Sequence, residues 1–105
     1  MVQALNISPM SFEEFLAWAP EDGRLYELHQ GAVVGMQPTG PHELVGAFLA
    51  AELTLPIRQE KRPNTIPKSC LVKPQLPDSG YRPDVVVLDK TELVHEPLWD
   101  SASSI

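Results

Sequence analysis

The chain has 105 residues, 43% hydrophobic and 21% charged, which fits one ordinary globular domain and excludes both a disordered segment and a second independent core. Its formal net charge of −6 disfavours a self-sufficient nucleic-acid binder, because phosphate contact is carried by Lys and Arg. No apolar run approaches the roughly 18 residues of a membrane span, residues 1–9 lack the features of a signal peptide, and the expected compartment is the cytoplasm.

Ser11 and Glu14 have capping-box spacing, and Phe12, Phe15, Leu16 and Trp18 accompany them, so a short amphipathic helix ending before Pro20 is predicted. After the turn at Glu21, Asp22 and Gly23, residues 24–28 alternate and residues 32–36 are apolar. With His29, Gln30 and Gly31 between them, the two runs predict a β-hairpin. Pro38 to Pro41 breaks the chain. From His42 onwards Leu44, Val45, Phe48, Leu49 and Leu53 recur near helical spacing among alanines, which predicts the main helix, ended or kinked by Pro56.

Residues 65–74 then read as a rim strand bracketed by Pro67 and Pro74. Residues 81–88, with four consecutive apolar positions from Val85 to Leu88, are the most strand-like segment and have the pattern of a strand covered on both faces. Residues 91–105 show no clear period and are expected to be an irregular, partly frayed tail. The whole chain, residues 1–105, is thus one α+β domain. The single cysteine, Cys70, has no partner at zinc-ligand spacing and is expected to be a small buried hydrophobe.

Charge is unevenly spread. Residues 1–56 carry seven acids and one base, residues 57–75 five bases and one acid, and residues 76–105 six acids and two bases. The basic segment is the one phosphate-friendly stretch, although Arg58, Lys61 and Arg62 also suit the end of a helix electrostatically.

Three residues are candidates for chemistry. Asp84 follows Pro83 and opens the apolar run, where a carboxylate at a strand end is a good ligand for a hard cation. Glu27 sits between Tyr26 and Leu28, on the opposite alternation face. His42 opens the main helix and could bind a ligand or shuttle protons, with Glu43 beside it in a position that suits the helix dipole.

Ser11 to Leu16, the Tyr26-Glu27-Leu28 motif with Gly31 downstream, Met36 to His42, and Tyr81-Arg82-Pro83-Asp84-Val85 occur in this order, and together they resemble the Uma-two family of restriction-endonuclease-like proteins. The resemblance runs from about Ser11 to Asp89. It implies a PD-(D/E)XK-type nuclease core that acts on DNA, with a helix and a mixed sheet presenting acids to Mg2+. On that resemblance Asp84 and Glu27 are the metal ligands, Asp84, Glu27 and His42 form the catalytic set, and Glu43 is a looser match.

The chain departs from the family pattern after residue 90. Family members continue with a second acid, a lysine and further helix and strands, whereas Lys61, Lys68, Lys73 and Lys90 all lack an Asp or Glu two positions earlier. A chain cut short at its C-terminus, inactive or nearly so alone, is therefore expected. An unpaired edge along residues 81–88 would further favour a homo-oligomer. The alternative is a non-enzymatic, self-associating module built on a degenerate nuclease fold.

Overall fold

The computed structural model describes residues 2–4 and 7–105, with side chains from Ile7 onwards. The elements run in the order β1 (Val2–Ala4), α1 (Phe12–Trp18), β2 (Tyr26–His29), β3 (Ala32–Met36), α2 (Gly40–Gln59), β4 (Asn64–Thr65), β5 (Leu88–Asp89) and α3 (Trp99–Ala102), with a 3-10 turn at Leu93–His95 before the last. The predicted order of helix, hairpin and main helix holds, and the fold is α+β.

α1 starts where its capping box says it should. The Ser11 amide donates to Glu14 Oε1 at 2.9 Å, and the Glu14 amide donates to Ser11 Oγ at 3.2 Å, satisfying two of the donors left open at a helix start. Its spacing turns Phe12 and Phe15 inward, 1% and 2% exposed. The hairpin closes through Gln30 and Gly31, both at positive φ (47° and 87°), the backbone that a two-residue hairpin turn demands. β3 is central in an antiparallel sheet of order β1-β3-β2, and β2 places Tyr26 and Leu28 on its inner face.

Beyond β2 the sheet continues as single bridges. Leu28 pairs with Gly80, Tyr81 with Val72, both antiparallel, and Leu71 with Ser104 in parallel. Gly80 is required by close approach: a Cβ there would lie 2.8 Å from Phe12 Cε1. Phe12, Phe15, Tyr26, Leu28, Val33 and Leu71 form the core, and Cys70 is buried beside it, its thiol pushed up by that burial.

Three expectations are corrected. Residues 81–88 do not form a long strand, since Pro83 removes a ladder donor, the chain bends at Asp84 and Val85, and pairing resumes only at β5, against β4. Val87 is 44% exposed, so the run is not covered on both faces, and the long apolar edge on which self-association was predicated is not built. The rim strand over residues 65–74 reduces to Thr65 in β4 and bridges at Leu71 and Val72, because its prolines interrupt the ladder. The tail is neither irregular throughout nor frayed. Ser104 is 1% exposed and its hydroxyl donates to the Leu71 carbonyl at 2.8 Å, while the amides of Lys73 and Ile105 donate to the carbonyls of Ile105 and Leu71.

α2 runs the full stretch from Gly40 to Gln59, passing through Pro56. Thr39 caps it, its hydroxyl accepting from the His42 amide at 3.4 Å, and Pro41 stands in the first turn, where its missing donor costs nothing. No residue of this helix is fully buried. Its half-buried positions, Gly46, Ala50, Thr54 and Ile57, form one row at helical spacing that faces the rest of the molecule.

Candidate active site and groove

The hairpin, the start of α2 and the segment after Tyr81 converge on one cavity of about 340 Å³. Glu27 reaches it from β2, where strand alternation turns its side chain away from the core face occupied by Tyr26 and Leu28. Asp84 and His42 also line it. The three residues singled out from the sequence therefore share one cleft, although they stand 15 and 42 positions apart along the chain.

Each is held by a specific contact. Glu27 Oε2 accepts from the Arg82 amide at 2.6 Å, and Arg82 Nε donates to the Tyr26 carbonyl at 2.9 Å, locking the Arg82 to Asp84 segment to the flank of β2. His42 Nε2 lies 2.8 Å from Asp84 Oδ1. Since an ionised carboxylate only accepts, Nε2 carries the proton and donates, which fixes the imidazole tautomer whenever the ring is neutral. Both side chains are more than half exposed, so the pair positions Asp84 and adds little to stability. Glu43 does not line this cavity but lines its continuation.

Arg82 has no role that its sequence motif reveals; in the fold it is the residue that ties Glu27 to the aspartate segment. Burial pulls its guanidinium below the ordinary arginine range, with the Glu27 charge acting in opposition. Lys68 was likewise missed, and it lines the continuation of the cleft. Nothing in the spacing of Lys68 to any acid could have found it, because the bend of residues 66–69 past α2 brings it there.

That continuation, a cavity of about 450 Å³, shares His42, Arg82, Pro83 and Asp84 with the first and extends along Gly46, Ala47 and Ala50 of α2 to Ile66. Ile66 also lines a third cavity of about 430 Å³ at the other end of the helix, beside Arg58, Lys61, Arg62 and Lys90. Lys90, the lysine nearest in sequence to the aspartate segment, thus faces the far cavity. Its neighbour Asp89 accepts from the Thr91 amide and hydroxyl at 2.9 and 2.6 Å, which lowers its carboxyl below the usual range. Among the described residues no group of three or more His, Cys, Asp or Glu is arranged to hold a metal ion. No helix among them is long and apolar enough to cross a membrane.

The start of α2, one face of β2 and the segment after Tyr81 thus border the cleft of an α+β domain. The family Uma2, described as "Putative restriction endonuclease", matches residues 12–103, and the chain belongs to that family. No curated protein and no solved structure matches it.

Proposed function

We propose that this chain is a DNA endonuclease-like domain whose cleft handles a phosphodiester with the help of a divalent cation, and that by itself it cleaves poorly or not at all. The observation that carries this reading is the convergence of Glu27, His42 and Asp84 on one cavity. Two carboxylates opening on a common space are a donor set that fits magnesium, which is commonly held by one or two carboxylates together with waters and substrate phosphates. Glu27 and Asp84 would hold it. Bound magnesium supplies a positioned water and stabilises charge on the phosphate. His42 steadies Asp84 through Nε2, and the Arg82 amide steadies Glu27.

Weak activity follows from what the cleft lacks. No acid-x-lysine pair exists in the sequence, and Lys90 faces the far cavity. The positive group that would offset charge on the reacting phosphate is therefore not supplied in the family's usual way. Plasmid nicking by the purified chain in magnesium is expected to stay at the level of the Asp84→Ala variant, while calorimetric titration shows magnesium binding that Asp84→Ala abolishes. Robust cleavage lost in Asp84→Ala would overturn the expected inactivity. Equal magnesium binding by chain and variant would overturn the site.

A second reading, self-association, is favoured by a separate observation. Leu44, Val45, Phe48, Leu49, Leu53 and Leu55 of α2 are between 41% and 73% exposed. They give one helix a broad apolar surface of the kind that marks protein contact sites. A second copy of the chain is the occupant this reading proposes, because a two-fold pairing lets the same patch serve both sides. Sedimentation velocity is expected to show a dimer that Leu44→Ser/Phe48→Ser converts to monomer. A wild-type monomer at all concentrations would refute it.

A further inference from the structure

We infer that the cavity at the C-terminal end of α2 is a phosphate-binding pocket that grips the backbone of the same DNA strand whose phosphodiester enters the cleft at the helix's other end. This rests on the nucleic-acid reading above and deepens it. The pocket is lined by Arg58, Lys61, Arg62 and Lys90 with no carboxylate among its lining residues, in a chain where acids outnumber bases 14 to 8. Arg62 is paired with Glu60 at 2.9 Å, whereas Arg58, Lys61 and Lys90 have no ion pair among the described residues.

The end of a helix would explain Arg58 and Lys61 by themselves, since cations suit its negative pole. It does not explain Lys90, which comes from a distant part of the chain. The second small sheet brings it in: Asn64 pairs with Asp89, the Lys90 amide donates to the Pro63 carbonyl at 2.8 Å, and Asp89 is turned aside to Thr91. The fold thus adds a cation to the pocket and occupies the adjacent acid elsewhere. Asn64 and Thr65 on the same wall add neutral polar groups suited to phosphate oxygens.

The pocket and the cleft are ends of one track. The middle cavity shares Asp84 and His42 with the cleft, carries Lys68, and meets the basic pocket at Ile66. His42 and Arg58 are 16 residues apart on one helix, so the track is roughly 24 Å long, enough for about four nucleotides of extended strand. Its polarity is graded, with Glu27 and Asp84 at one end, Gly46, Ala47 and Ala50 between with Glu43 and Lys68 beside them, and cations without a carboxylate at the other end.

The test is fluorescence anisotropy of a labelled DNA 12-mer, single-stranded and as duplex, titrated with the full chain in EDTA over a range of salt. EDTA separates this test from the proposed metal site, so binding can be read even where no magnesium is held or no DNA is cut. The slope of log affinity against log salt is expected to shrink by about 2 in Arg58→Gln/Lys61→Gln/Lys90→Gln relative to the wild type for a single strand. It is expected to hold in Lys61→Arg/Lys90→Arg, which keeps the charge, and in Arg24→Gln, outside the track. A slope that shrinks in the triple variant and holds in the controls supports the pocket, and the strand form that shows it identifies the source of phosphate. An unchanged slope in the triple variant, or no salt-dependent binding by the wild type, would overturn it.

Discussion

α1 with the hairpin and α2 are both rich in large apolar residues, yet the fold treats them in opposite ways. Phe12 and Phe15 of α1 are essentially closed to water, whereas Phe48 of α2 is 62% exposed and Leu44 73%. α1 is seven residues long with one apolar edge, and that edge meets Leu28, Val33 and Leu71. α2 is twenty residues long and apolar nearly all round, but it contacts the rest of the chain through a row whose members are Gly46, Ala50, Thr54 and Ile57. The small side chains of Gly46 and Ala50 let the helix lie close to the groove, and most of its larger ones point outward. The lesson is that hydrophobicity marks what wants covering, while the size of the side chains facing inward decides which face is covered.

The sharpest way to break this contrast is to truncate one phenylalanine in each region. Phe12→Ala should cost roughly 3–5 kcal/mol, because it opens a cavity in a packed core. Phe48→Ala should stay within about 0.5 kcal/mol in the monomer, as surface changes do. Urea midpoints at low protein concentration measure both, and equal losses would mean that α2 is covered in solution. Next in size is Gly80→Ala. An added methyl would press on Phe12 at 2.8 Å and on Leu71 Cδ1 at 3.3 Å, and overpacking of this kind costs about 1–3 kcal/mol. Because Gly80 exchanges two backbone hydrogen bonds with Leu28, at 2.7 and 2.8 Å, just ahead of the Arg82 to Asp84 segment, the magnesium affinity proposed for Glu27 and Asp84 should fall along with stability.

The smallest effect lies at the turn entering the hairpin. The Tyr26 hydroxyl donates to Asp22 Oδ2 at 2.7 Å and the Arg24 amide to Oδ1 at 2.9 Å, and these bonds, the tyrosine's first, hold the Asp22 carboxyl below its ordinary value of 3.8. A group depressed in the folded state stabilises above its unfolded pKa and loses that contribution as pH falls through the folded one. Stability should therefore decline as the medium is acidified below pH 3.8, and Asp22→Asn should decline less steeply over that window. Thermal melts across the acid range compare the two.

How much could be read from the residues varies with how local the cause is. The capping box of Ser11 and Glu14 and the hairpin turn at Gln30 and Gly31 are short-range devices that lie where the spacing indicates, while α2, expected from His42, starts two residues earlier because Thr39 caps it. Glu27, His42 and Asp84 were legible as candidates through strand alternation, a helix start and a Pro-Asp step. Their meeting in one cavity was implied only by the family resemblance and not by spacing, because it depends on the Leu28–Gly80 bridge and on Arg82 reaching back to β2. The run Val85 to Leu88 misled for the converse reason. Its composition suits a buried strand, but a strand exists only where a neighbour offers hydrogen bonds, and β4 offers two residues.

By itself, then, the sequence determined which segments turn, cap and coil, since those outcomes are settled within a few residues by φ preferences and nearby hydrogen bonds. Tertiary structure alone decided that Arg82 ties Glu27 to the aspartate segment, that the tail docks on Leu71, that Lys90 joins the cations at the end of α2, and that the longest helix keeps its large apolar side chains in water. Each of these depends on contacts between residues far apart in the chain, where backbone pairing and available space select the partner.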